Sequence, residues 1–137
     1  MEMKMEPDLE GGCLCGAVRY RVSERPLLVE YCHCSMCRRA AGAPVVVWAD
    51  FPRSSVTWTK GSPSHYTSSA NVRRGFCATC GSALTFDNQH NIQKISLTVG
   101  TLDHPEKLAP RQHIYSEEHM PWLNLEDSLP RFSKGEE

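Results

Sequence analysis

No apolar run in this sequence approaches the length of a bilayer span, and the opening residues, Met1 to Asp8, are charged throughout without the apolar centre of a secretory leader. Neither membrane insertion nor export is expected, and the chain reads as cytoplasmic. An excess of charge of one sign is missing too, since 15 Lys and Arg face 16 Asp and Glu for a formal net charge of −1. A polyanionic partner has little to hold, which argues against nucleic-acid binding even though Arg38-Arg39 and Arg73-Arg74 form two small basic pairs. Repeats and low-complexity tracts are absent, and no segment sustains the 3.6-residue periodicity of an amphipathic helix. At 137 residues the chain suits one domain of modest core, which metal staples would help to hold.

Cysteine, by contrast, is plentiful. Seven residues, an odd number grouped in short motifs, read in a reducing compartment as metal ligands rather than as a disulfide framework. Three of them, Cys32, Cys34 and Cys37, fall within six residues, directly before Arg38 and Arg39. Thiolates this close repel one another unless a cation takes up the charge, and Zn²⁺ is the usual one. His33 could supply a fourth ligand, but lying between two of these cysteines in an extended segment it is expected to point away from them, because successive side chains alternate in direction. Gly11-Gly12-Cys13-Leu14-Cys15-Gly16 and Gly75-Phe76-Cys77-Ala78-Thr79-Cys80-Gly81 are glycine-flanked knuckles. A redox reading of Cys77 and Cys80 would need a strand before them and a helix after, and a further strand follows instead. Spacing alone would pair Cys34 and Cys37 with Cys77 and Cys80, leaving Cys13, Cys15 and Cys32 over. Joining Cys13 and Cys15 to Cys77 and Cys80 leaves fewer orphans: one closed site of four thiols, and Cys32, Cys34 and Cys37 as an open site of three.

Around these motifs the pattern is that of strands. Val18, Tyr20 and Val22 alternate with polar residues across Ala17–Ser23, so the C-x-C motif is expected to open the first strand. Strands are expected over 27–31, 44–51, 56–59, 65–67, 72–76, 83–86, 94–99 and 112–115, the run from Pro44 to Phe51 being buried on both faces. One helical turn is expected from Ser35 to Ala41, ended by Gly42-Ala43-Pro44. The fold class is therefore all-β, a small zinc-bound sandwich or barrel with short helical turns. Domain limits are drawn at 10–132, with flexible ends over 1–9 and 133–137. Trp48 and Trp122 are expected in the core, and the proline-broken stretch from Met120 to Phe132 is expected to lie over the sheet.

Taken together, Gly12-Cys13-Leu14-Cys15-Gly16, Cys32-His33-Cys34-Ser35-Met36-Cys37-Arg38-Arg39, Arg74-Gly75-Phe76-Cys77-Ala78-Thr79-Cys80-Gly81-Ser82, Val99-Gly100-Thr101-Leu102-Asp103 and His113-Ile114-Tyr115 resemble the glutathione-dependent formaldehyde-activating enzyme family, to which the centromere protein V domain also belongs. The resemblance implies two zinc ions, a structural one on Cys13, Cys15, Cys77 and Cys80 and a second on Cys32, Cys34 and Cys37. It also implies a carbon–sulfur lyase activity, the addition of glutathione or a similar thiol to a small aldehyde such as formaldehyde. An open position on the second zinc would take the thiol. His33, His113 and Tyr115 are candidates to return a proton, and Arg38 and Arg39 to hold a substrate carboxylate. The rival expectation is a non-catalytic zinc-stabilised scaffold for a protein partner, which a fourth protein ligand on the second zinc would favour. Oligomeric state leaves no mark in the sequence.

Overall fold

The computed structural model describes residues 8–135. Most of the expected flexible ends, namely 1–7 and 136–137, lie outside the described residues, while Leu9 belongs to a strand. In chain order the elements are β1 (Leu9–Gly12), β2 (Arg19–Val22), β3 (Leu28–Cys32), α1 (Ser35–Ala41), β4 (Val46–Pro52), β5 (Val56–Lys60), β6 (Ser64–Ser69), β7 (Val72–Phe76), β8 (Ala83–Asn88), β9 (Lys94–Thr98) and β10 (Gln112–Ile114). The fold is mainly β, as the alternating pattern predicts. The C-x-C motif, however, does not open the first strand but forms the turn between β1 and β2. Two of the four residues of β1 are glycine, so it carries no alternation for a sequence reading to detect.

Two sheets result. The smaller has the order β1-β2-β5, and the larger the order β10-β3-β4-β9-β8-β7-β6. All pairings are antiparallel except that of β10 with β3. Because side chains alternate along a strand, each face of the larger sheet collects its own set of residues. One face sends Val29, Ala49, Phe51, Leu84 and Leu97 into a core shared with Val18, Tyr20 and Val22 on the β2 side. Tyr20, Phe51, Leu84 and Leu97 are fully buried there, each contributing about 1.5–3 kcal/mol of transfer free energy.

The opposite face is the one that matters for chemistry. Register places Cys32 opposite both Val46 and Ile114, Glu30 opposite Trp48 and Gln112, Asp50 opposite Ser96, and Phe86 opposite both Ser96 and Arg74. Helix α1 follows directly from the end of β3. Its N-cap is Cys34, whose sulfur accepts a hydrogen bond from the Cys37 N–H, and its last turn closes at Gly42.

The stretch after β10 departs from expectation. Trp122 is 68% exposed rather than packed in the core, because this segment is held by its polar groups and not by its large apolar ones. Its end runs along the edge of β10: the His113 N–H donates to the Pro130 carbonyl, the Phe132 N–H donates to the His113 carbonyl, and Arg131 Nη1 reaches Asp127 Oδ1 at 2.9 Å. Among the described residues no helix is long and apolar enough to cross a membrane.

Candidate metal centres and the adjoining cavity

Each knuckle is built by a turn whose last residue is a glycine in the left-handed region. Gly16 and Gly81 both have φ of 83°, and their N–H groups return to the Cys13 and Cys77 carbonyls. A side chain at either position would be strained, so the glycines are what let two sulfurs face inward from one turn. The two turns meet although 62 residues separate Cys15 from Cys77. The Leu14 N–H donates to Ser82 Oγ across the junction at 3.0 Å. Sγ of Cys13 lies 3.7 Å from that of Cys15, which lies 3.9 Å from that of Cys77, and all four sulfurs of Cys13, Cys15, Cys77 and Cys80 are within 4.8 Å of one another. A tetrahedron with metal–sulfur bonds of about 2.3 Å has edges of about 3.8 Å, so the donor set fits a tetrahedral thiophilic ion. Backbone N–H groups of Val18, Thr79 and Cys80 point at sulfur as they would at thiolate. The Ser82 hydroxyl, first among several hydrogen bonds, draws the Cys80 thiol down to about 5.

Cys32, Cys34 and Cys37 form the second group, again with sulfurs within 4.8 Å. Here the ligands come from one short stretch: the end of β3, the N-cap of α1 and its first turn. Among the described residues no fourth Cys, His, Asp or Glu joins them. His33 turns away, as alternation predicts. Its Nε2 lies 2.9 Å from His113 Nδ1, and burial pulls it down to about 4, so it is a neutral ring. The three thiols share charge unequally. Cys37 is pulled well below its ordinary value, first by Cys32 and then by Cys34, with the Arg74 guanidinium adding to the effect, while Cys34 first and then Cys37 push Cys32 up. Arg74 is itself buried. Its Nη1 donates to Cys37 Sγ at 3.5 Å, its Nε to Ser68 Oγ at 3.0 Å, and its guanidinium lies 5.1 Å from the centre of the Phe86 ring.

A cavity of about 70 Å³ opens beside these three thiols. Trp48, Phe86, Ile114 and Tyr115 form its apolar wall, and Glu30, Asp50, Asn88, Lys94 and Ser96 line it as well. The polar members are tied together. Asp50 accepts from Ser96 Oγ at 2.6 Å and from Lys94 Nζ at 3.2 Å, and Glu30 accepts from Gln112 Nε2 at 2.9 Å. Of the three proton-donor candidates only Tyr115 lines this cavity. It is also the one non-glycine with positive φ among the described residues, at 52°. His113 is buried on the far side, stacked on Tyr31 with ring centres 4.6 Å apart and held to Asp127 at 3.1 Å. Arg38 and Arg39 are on α1 but do not line the cavity, where the cations are Arg74 and Lys94.

Sequence reasoning gave no site role to Glu30, Asp50 or Lys94, and met Arg74 only in a basic pair and in the motif running to Ser82. A signal existed for two of them: Glu30 and Asp50 interrupt otherwise apolar strands, and a carboxylate kept in a central strand needs a partner or a task.

The sequence model of the glutathione-dependent formaldehyde-activating enzyme matches residues 8–118. The chain belongs to that family. All seven cysteines and every cavity residue named above lie inside the match, whereas Asp127 and Arg131, which brace His113, lie beyond it. Among the family's relatives, a Schizosaccharomyces pombe protein described as an uncharacterized lyase is 35% identical over 81 residues, 58% of this chain and 58% of its own length. A Halomonas elongata protein, provisionally named a glutathione-dependent formaldehyde-activating enzyme, is 28% identical over 127 residues, 86% of this chain and 81% of its own. A crystal structure of a Rhodobacter sphaeroides protein shares the fold with a TM-score of 0.57 and 21% identity, covering 89% of this chain and 98% of that one.

Proposed function

We propose that this protein is a zinc-dependent carbon–sulfur lyase that joins glutathione or a similar thiol to a small aldehyde such as formaldehyde, and cleaves the adduct in reverse. Cys13, Cys15, Cys77 and Cys80 would hold a structural zinc, and Cys32, Cys34 and Cys37 a second one. The observation that carries the reading is a cluster of three thiols, with no fourth protein ligand among the described residues, opening onto a cavity that bears its own charged groups. A zinc ion held by three thiols supplies Lewis acidity that keeps a substrate thiol ionised at neutral pH.

The chain's own residues do the rest. Arg74, buried against Cys37, counters the negative charge of the thiol cluster and of an incoming thiolate. The cavity's small volume favours a small aldehyde and the thiol end of its partner, leaving the bulk of a tripeptide outside. Arg38 and Arg39, off the cavity wall, could then hold only a carboxylate of that outer part. Tyr115, which lines the cavity and is held in the left-handed region, is the candidate to give a proton to the new hydroxyl oxygen.

The test is exchange spectroscopy on glutathione and formaldehyde with the zinc-loaded protein, together with the visible spectrum of a cobalt-substituted sample. Acceleration of adduct exchange, and a cobalt spectrum that responds to glutathione, are expected. A spectrum indifferent to thiols, with no acceleration, would replace this reading with a non-catalytic scaffold.

A further inference from the structure

Five buried side-chain nitrogen or oxygen atoms among the described residues have no hydrogen-bond partner: His33 Nδ1, Arg38 Nε, Trp48 Nε1, Arg73 Nε and Thr85 Oγ1. Of these five residues only Trp48 lines the cavity beside the three thiols. An indole N–H can donate and nothing else, so leaving it buried without an acceptor is a standing cost that a fold rarely keeps without a use. The ring is also well fixed. Trp48 is 6% exposed, belongs to a central strand, packs with Cys32, Cys37, Val46 and Ile114, and lies 5.9 Å from Phe86 at an interplanar angle of 59°.

Its surroundings decide what kind of acceptor it suits. Trp48 pairs with Glu30 across the β3–β4 ladder, and Asp50 follows it on the same face of β4. Glu30 is engaged by Gln112 and Asp50 by Ser96 and Lys94, and neither takes up the indole N–H; with Lys94 and Arg74 lining the same cavity, a neutral carbonyl oxygen and the negative charge it gains can both be accommodated. Trp48 packs in one cluster with Cys32 and Cys37 and lines the same cavity as these thiols, so the indole stands beside them.

We infer that the Trp48 indole N–H is the hydrogen-bond donor that receives the aldehyde's carbonyl oxygen, a specificity and catalytic role resting on the proposed thiol–aldehyde activity. As the carbon–sulfur bond forms, the carbonyl π bond breaks and its electron pair moves to oxygen. That oxygen then takes up one proton, in balance with the one the thiol gave up. Nothing is oxidised or reduced. The donor gains strength as the oxygen gains charge, which is the condition for speeding the step rather than only binding the substrate.

The experiment uses the full zinc-loaded chain labelled with ¹⁵N and follows its three tryptophan indole signals on addition of an equilibrated mixture of glutathione and formaldehyde. Trp58→Phe and Trp122→Phe assign the Trp48 signal by elimination, so assignment does not depend on the variant of interest folding. The Trp48 indole proton is expected to move downfield while the other two stay in place, and Trp48→Phe is expected to lose on the order of 10²-fold in kcat with metal content unchanged. A Trp48 signal unmoved at saturation, or full kcat in folded Trp48→Phe, overturns the inference. If the wild type shows the indole shift without accelerating exchange, the binding role stands and the proposed activity falls.

Discussion

The four-thiol cluster joins two turns far apart in the chain, and the three-thiol cluster is contained in one short stretch. That difference separates what each can do. Bringing Cys15 to Cys77 closes a loop of 62 residues, and a crosslink of that span removes about 4 kcal/mol of chain entropy from the unfolded state. Cys13 and Cys77 are correspondingly part of the main core, alongside Val18, Leu84 and Leu97. Cys32, Cys34 and Cys37 close no long loop. They gather around the end of β3 and the start of α1, in a separate cluster with Trp48 and Ile114, and face a cavity. One group of thiols holds distant parts of the fold together. The other holds charge next to an accessible space, and its loss should leave the architecture standing.

The largest effect should come from Cys77→Ser. Structural zinc in small domains contributes about 10–16 kcal/mol, comparable to or above the whole stability of a domain this size. Soluble yield and near-ultraviolet circular dichroism should both collapse, and a folded variant that keeps its melting temperature would erase the distinction between the two sites. Next comes Cys34→Ser, expected to lose one metal equivalent and the cobalt response to thiols while melting within several degrees of the wild type. Global unfolding of this variant would place both clusters in the same structural class. The smallest effect belongs to the brace beside the four-thiol site, where Arg19 donates to both carboxylate oxygens of Asp103 at 3.0 and 2.6 Å. That hydrogen-bonded pairing holds the Asp103 carboxyl below its ordinary value. Its contribution is therefore present above about pH 4 and lost as the pH falls through the lowered value. Asp103→Asn should cost roughly 1–3 °C of melting temperature at pH 7, and the gap to wild type should close in acid. A gap that widens in acid would assign the brace another origin.

The thiols were legible because their chemistry is local. Short spacing, flanking glycines and alternation around His33 are properties of a few consecutive residues, and the structure keeps them as such. Most strands were legible for the same reason, and α1 lies where Gly42 and the three thiols bound it. The cavity was not legible. Glu30, Asp50, Lys94, Arg74 and Trp48 come from four strands and meet only through sheet register, above all through the crossover that sets β9 beside β4. His113 and Tyr115, two residues apart, illustrate the limit well. Alternation would put both on one face of a strand, but β10 ends at Ile114, and the left-handed turn at Tyr115 sends its ring to the cavity while His113 stays behind it. Neither proximity in sequence nor residue type announces that turn.

Synthesis delivers these parts in a fixed order, and the parallel pairing of β10 with β3 makes that order consequential. Once Cys80 has left the ribosome, all four thiols of the larger cluster have emerged. By then Cys32, Cys34 and Cys37 are exposed as well, but the strand that sets Ile114 opposite Cys32 is not yet made. For that interval the three thiols lack part of their cavity wall and are open to whatever metal or oxidant the surroundings offer. The last third of the chain thus completes the cavity wall that the first third begins.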